Sequence, residues 1–322
     1  MMNKENSIMN NKQIYVLLKG RIGNQLFIYA FVRNIQKQLG ENTEIIIDDT
    51  FVLEQGWENS LTNYDLENVH YVHNKKVLYT PKWIFKFFVL RIVVFLCRYR
   101  SDYKKQYAKE KKYKRFLEIL GILNCENGYL DFNINKNKSI LVNGYFQSEK
   151  YFPLVKDELK KTFSLSDNLV YPHLDVLDST NSVCISVKVE HNVGSSLYAV
   201  CGKEYWQDAI AYIIQNIKDP VFFVCSDNVE YVKQNLIDCE KFKVIFQDST
   251  QPIHKSLAAM SHCKHFIIGN TTFGWWAQYI SNSKDKIMIA PNQWMLVDMP
   301  IDIYQDSWIL IDVKKYLGDK AL

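Results

Sequence analysis

Three short segments bring glycine, amide, hydroxyl and carboxylate groups to places where an apolar run gives way to a helical pattern. The richest is Ile267-Ile268-Gly269-Asn270-Thr271-Thr272-Phe273-Gly274-Trp275-Trp276. A buried strand ends there in glycine. Asn270, Thr271 and Thr272 then supply an N-cap and two hydroxyls, and the helix start offers backbone N–H groups to a diphosphate. Trp276 is expected in the core, and the ring of Phe273 is left open between packing and ligand contact. In Cys225-Ser226-Asp227-Asn228 another apolar strand meets a helix. The Asp227 carboxylate can accept both N–H donors on one edge of a guanine base or cap the helix that follows; taken alone, capping is preferred. The third segment is Gly20-Arg21-Ile22-Gly23-Asn24-Gln25, again between strand and helix. Its glycines allow close backbone approach, but it matches neither GxGxxG nor a Walker loop, and on its own it reads as a tight turn.

These segments need a scaffold that delivers strand ends to one edge. Ile14 to Leu18 reads as a buried strand, Gln25 to Leu39 as a helix and Glu44 to Ile47 as the next strand, a βαβ opening. Asp48-Asp49 closes that strand as a turn or cap and is not a metal-binding DxD. The middle is less regular, with helices over Pro81 to Leu120, a strand at Ser139 to Val142 and a helix from Ser148 to about Thr162. The polar stretch that follows reads as a linker, which divides the chain into 1–165 and 166–322. Beyond it, strands at 183–189, 221–225, 243–246, 265–268, 286–290 and 308–311 alternate with helices at 204–217, 229–236, 253–262 and 273–280. That alternation predicts a parallel sheet covered on both faces, with ligands beyond the carboxyl ends of its strands.

Composition narrows the partners. A net charge of +4 over 322 residues is too small to indicate nucleic acid. Seven Cys stand singly with no CxxC pair, the usage of a reducing compartment and neither a disulfide framework nor a zinc site, and the polar start lacks a secretory h-region. A cytoplasmic protein is expected. Trp83 to Cys97 is apolar, but Lys86 and Arg91 interrupt it and it is too short to span a bilayer. With the basic run Arg98 to Arg115, it reads as a buried helix followed by a solvated one. The sharper reading makes 82–115 a surface that rests on anionic lipid and meets a lipid-linked acceptor.

The blocks GRIGNQLFIYAF, GYFQSEKYF, VFFVCSDNVEYVKQNL and MSHCKHFIIGNTTFGWWAQYIS occur in the order found in bacterial α-1,2-fucosyltransferases, which the chain resembles from about Tyr15 to Trp294. The resemblance implies an α/β, GT-B-like fold with two Rossmann-like domains facing a central cleft. The first domain would lie on the acceptor side, and the second would bind the nucleotide sugar. It implies an inverting, metal-independent transfer of L-fucose from GDP-fucose, without a cofactor, to a hydroxyl such as O2 of galactose on an oligosaccharide or surface glycan. Carried over by residue, it puts Asp227 on the guanine, Asn270, Thr271 and Thr272 with neighbouring Phe273 at the diphosphate and ribose, and Gly20, Arg21, Gly23 and Asn24 at the cleft wall.

One block departs from the family. Where the family carries HxRRGDY, this chain reads Val187-Lys188-Val189-Glu190-His191-Asn192-Val193-Gly194, so Lys188 replaces the histidine, Glu190 the first arginine and His191 the second. A departing nucleoside diphosphate gains negative charge that the site must stabilise, and a carboxylate near phosphate opposes this. Three outcomes follow: Lys188, His191 or Arg21 brings the positive charge from another direction, the donor is a different nucleotide sugar, or the protein binds without transferring. Glu190 and His191 are the expected bases for the acceptor hydroxyl.

Overall fold

The computed structural model describes residues 12–73, 80–98, 102–165, 169–192 and 195–317. Val193 and Gly194 lie outside the described residues, as does the side chain of His191. The chain divides into two compact units, Met1–Val155 and Lys156–Leu322.

The first unit runs β1 (Gln13–Leu17), α1 (Ile22–Leu39), β2 (Glu44–Asp48), α2 (Thr50–Glu54), β3 (Val69–Val72), α3 (Pro81–Cys97), α4 (Tyr103–Leu120), β4 (Ile122–Cys125) and β5 (Ile140–Gly144). Its five strands are parallel in the order β3-β2-β1-β5-β4. The apolar pattern does not anticipate β3 or β4, each only four residues long. On one face Tyr15, Ile46, Ile122 and Leu141 of the sheet form a core with Trp83, Leu90, Val93 and Cys97 of α3 and Leu117 of α4. The alternate β1 residues Ile14 and Val16 are equally buried, as a sheet covered on both faces requires.

Helix α3 departs from the expected buried helix. It buries one stripe, Trp83, Lys86, Leu90, Val93 and Cys97. Ile84, Phe85, Phe88, Ile92, Phe95 and Leu96 remain exposed. Within the buried stripe, the Lys86 ammonium donates to the carbonyls of Gly121 at 3.1 Å and Ser139 at 2.5 Å. Burial pulls its pKa down to about 8.

At the end of β5, Gly144 holds φ at +140°, and a Cβ there would stand 1.9 Å from the Cys125 carbonyl oxygen. Only glycine fits such an approach. The helix expected from Ser148 is instead a 3₁₀ turn, Glu149–Tyr151, followed after Pro153 by a separate helix.

That helix opens the second unit, which runs α5 (Lys156–Ser164), α6 (Leu174–Ser179), β6 (Asn181–Val187), α7 (Val189–Asn192), α8 (Lys203–Asn216), β7 (Pro220–Ser226), α9 (Val229–Asn235), β8 (Lys243–Phe246), α10 (Ile253–Ser261), β9 (His265–Ile268), α11 (Thr272–Ile280), β10 (Met288–Pro291), β11 (Ile309–Ile311) and α12 (Lys314–Leu317). The six strands are parallel in the order β11-β10-β9-β6-β7-β8. The division precedes α5 instead of following it at 165, because α5 packs on α10 and α11. Phe163 meets Trp276 edge-on at 5.4 Å, and the Lys160 ammonium donates to the Ser281 carbonyl at 3.3 Å. The expected linker is also partly structured: it holds α6 and the buried Tyr171, whose hydroxyl lies 3.2 Å from Ser256 Oγ. Strand β6 stops at Val187, two residues short of its expected end, and Val189 already begins a helical turn.

Glu110 of α4 gives the first unit a pH signature. It is buried, accepting from the Glu126 backbone N–H and the Gln106 side chain, each at 3.2 Å. Burial, with a smaller push from Glu126, raises its pKa to about 7. Between about 4.5 and about 7 the folded state therefore holds a proton that the unfolded chain has lost, and stability falls as pH rises through that window. Chemical denaturation of Glu110→Gln is expected to abolish this decline and, above pH 7, to show a gain of up to about 3 kcal/mol. An unchanged slope would assign the decline to other groups.

Candidate functional site

Where the strand order of a parallel sheet reverses, neighbouring connections leave in opposite directions and open a crevice beyond the carboxyl ends. In the second sheet this happens between β6 and β9, which pair in parallel with Ser186 opposite Ile268. Two glycines let α11 begin pressed against these strands. Gly269 donates its N–H to the Ser186 carbonyl at 3.1 Å, and the Trp206 ring would lie 3.3 Å from a Cβ at that position. A Cβ on Gly274 would stand 2.9 Å from Ile268 and 3.0 Å from the Ser186 Cβ.

Asn270 faces inward. Its buried amide donates to the carbonyls of Tyr198 at 3.1 Å and Trp294 at 2.8 Å, joining the connections after β6 and β10 to the start of α11. Beside it lies Cys201, whose thiol is pushed up to about 12 by burial and stays protonated. Thr271 is the N-cap, its hydroxyl accepting from the Gly274 N–H at 3.2 Å. Thr272 and Phe273 are half-buried, and the Phe273 N–H has no partner among the described residues. The first turn of α11 therefore presents hydroxyls, an open N–H and the positive end of a helix dipole. Trp276 is fully buried, as expected.

Asp227 directly follows β7 on the other side of β6. The helix it was expected to cap starts at Val229, so Asn228 is that cap instead, accepting from the Tyr231 N–H at 3.0 Å. Asp227 turns to β6 instead. Its two oxygens accept from the backbone N–H groups of Val189 at 2.6 Å and Glu190 at 3.2 Å, holding the start of α7. A cavity of about 570 Å³ opens beside it beyond β7 and β8, lined by Asp227, Asn228, Glu230, Gln247 and Asp248 among others. Lys188 and Asn270 each stand two residues past the Ser186–Ile268 pair. Lys188 is half-buried and Glu190 is exposed.

Gly20, Arg21, Gly23 and Asn24 belong to the first unit, in the connection after β1, which lies beside β5 in the sheet. Gly20 is left-handed, with φ of +70°, and Arg21 stands exposed at the N-cap of α1 with its guanidinium 5.8 Å from the Trp57 ring. Gly23 and Asn24 form the first turn of α1, and Asn24 Oδ1 accepts from Gln147 at 2.8 Å, bridging the β1 and β5 connections.

Several residues here had no role assigned from sequence. Gln25 is fully buried, donating to the carbonyls of Gly20 and Glu58, each at 2.9 Å, and accepting from the Ser60 N–H at 2.8 Å. A polar residue leading an apolar helix run was the available signal. Lys19 and Glu126 pair at 2.5 Å, with Asn143 donating to Glu126 at 3.1 Å, and no local pattern announces this cluster. Asp48 and Asp49 serve the backbone turn as expected. Asp48 accepts from the Thr50 N–H at 3.0 Å and the Tyr15 hydroxyl at 2.7 Å, while Asp49 accepts from Asn59 at 2.9 Å.

Residues 13–312 match Glycosyl transferase family 11. The chain is 24% identical over 319 residues to the O-antigen biosynthesis glycosyltransferase WbnK of Escherichia coli, an alignment covering 92% of this chain and 99% of that one. It is 27% identical over 310 residues to an Alpha-1,2-colitosyltransferase of Escherichia coli, covering 92% and 97%. Galactoside alpha-(1,2)-fucosyltransferase 1 of Ateles belzebuth is 24% identical over 192 residues, covering 53% of this chain and 52% of that protein. Among solved structures, a NodZ alpha-1,6-fucosyltransferase soaked with GDP-fucose aligns at 12% identity and a TM-score of 0.47, covering 90% of this chain and 100% of that one. A mutant of Arabidopsis thaliana FUT1 in complex with GDP aligns at 13% and 0.48, covering 88% and 71%. The family match runs from the first strand of the first unit to just past the last strand of the second, and the protein belongs to glycosyl transferase family 11 and is a glycosyltransferase.

Proposed function

We propose that the enzyme transfers L-fucose from GDP-fucose, with inversion and without a metal, to a hydroxyl such as O2 of galactose. The acceptor would be an oligosaccharide or lipid-linked surface glycan, met at the cytoplasmic face of the membrane. The observation that carries the reading is the β7-β6-β9 edge. Asp227 and the start of α11 flank β6 there, two strand spacings or roughly 10 Å apart, about the length of a nucleoside diphosphate. Asp227 would take the N–H edge of the guanine, and the open N–H and hydroxyls at Thr271–Phe273 would take the diphosphate.

The acceptor oxygen attacks the anomeric carbon as the bond to the diphosphate oxygen breaks. Glu190 or His191 receives the acceptor proton, and Lys188 with the α11 dipole holds the charge gathering on GDP. Lys188, like Asn270, stands two residues past the Ser186–Ile268 pair, which supports it over the replaced arginine position. A second reading, transfer of another nucleotide-linked sugar, is favoured by two facts. One full-length relative is named for colitose, and Glu190 stands where the first arginine of the family motif stands.

Isothermal calorimetry is expected to show GDP binding about tenfold weaker in both Asp227→Ala and Thr272→Ala; unchanged affinity in both would refute the assignment. On this reading GDP competes with Val189 and Glu190 for the Asp227 carboxylate, so amide exchange at both positions should speed up when GDP binds. Slower exchange would place the base elsewhere. A donor panel read by product mass should be led by GDP-fucose. A lead for GDP-colitose would decide for the second reading, and a lead for UDP-sugars would overturn the guanine site.

A further inference from the structure

Helix α3 carries large apolar side chains on every side, yet the fold buries only one of them. The outward positions Ile84, Phe85, Phe88, Ile92 and Phe95 recur at the spacing of a single helix face, with Phe88 62% and Phe95 78% exposed. Because α3 and α4 pack on the sheet and on each other, their outer sides form one surface, to which α4 adds the exposed Phe116 and Ile119. So many large apolar side chains on one side of a hairpin exceed the scattered exposure normal for a soluble surface.

Charge selects what covers this surface. Residues 81–120 hold twelve Lys and Arg against three Asp and Glu, a net +9 in a chain whose total is +4, so the rest of the chain carries −5. Lys86 is turned inward, but Arg91 of α3 and Lys104, Lys105, Lys111, Lys112 and Arg115 of α4 are exposed beside the apolar side chains. A second copy meeting the same face would set two such basic hairpins against each other. An anionic surface with an apolar interior satisfies both properties at once. Spanning is not an option. The 17 residues of α3 reach roughly 25 Å against a hydrocarbon core of roughly 30 Å, and among the described residues no helix is long and apolar enough to cross.

We propose that the outer face of the α3–α4 hairpin docks on an anionic lipid bilayer, with Phe88 and Phe95 entering the acyl boundary and the exposed lysines of α4 meeting headgroup phosphates. This goes beyond the donor and acceptor reading above and is tested without sugar substrates, so either can fail alone. The full-length protein is floated with vesicles of phosphatidylcholine, with and without phosphatidylglycerol. Binding should require phosphatidylglycerol, weaken with added salt, and fall about tenfold or more in the double variant Phe88→Ser, Phe95→Ser, both sites being exposed and outside the core. A single Phe88→Trp variant should show bromolipid quenching beyond that of the parent. The proposal is overturned if the parent ignores phosphatidylglycerol vesicles, if the double variant binds them equally, or if the Trp gains no quenching. It is equally overturned if sedimentation shows a parent dimer that the double variant loses, which would make the face a self-interface.

Discussion

Parallel pairing imposes one condition on both units: every strand must end at the same edge, so each connection has to leave there and return to the opposite end before the next strand can join. Polar backbone and side chains collect at that edge as a result. Where the order reverses, the departing connections separate and expose them. In the second unit the reversal beside β6 brings together groups far apart in sequence: Lys188 and Glu190 after β6, Asp227 after β7, and Asn270 to Phe273 after β9. A nucleotide site assembled this way needs no contiguous motif, only strands that stop in register.

Holding that edge in shape falls to groups that need not touch a ligand. Asn270 stitches the connections after β6 and β10 to the start of α11, and Gly269 and Gly274 let α11 seat against the strands. Gln25 and the Asn24–Gln147 pair do the same in the first unit. Amides suit this work, since one side chain donates and accepts at once and so satisfies buried carbonyls on separate segments.

Long, periodic elements were legible in the chain itself. All four main helices of the second unit and its six strands follow from alternation, with ends off by one or two residues. Asn270, Thr271 and Asp227 were visible as strand-end residues, but where their side chains point was not. The direction of Asn270 is set by the carbonyls of Tyr198 and Trp294, 72 and 24 residues away, and that of Asp227 by amides 38 and 37 residues away. Strands β3 and β4 escaped because four residues are too few for a period to show, and β4 follows α4 with only Gly121 between. The end of β6 was misplaced because Val187 to Val189 continues an apolar alternation, while Asp227 supplies the cap that starts a helical turn there.

Helix α3 shows how a fold chooses between faces when apolar character cannot. Rolling it about its axis would bury phenylalanines in place of the tryptophan, leucine and valine it does bury, so apolar burial alone does not fix its rotation. Lys86 fixes it. Its ammonium reaches the carbonyls of Gly121 and Ser139, at the foot of β4 and β5, only in the rotation that brings Lys86 inward. A single buried polar group thus acts as a key for orientation, a role in which such groups trade stability for uniqueness. The same key turns the phenylalanines outward: the character of that whole surface is decided by one ammonium on its hidden side.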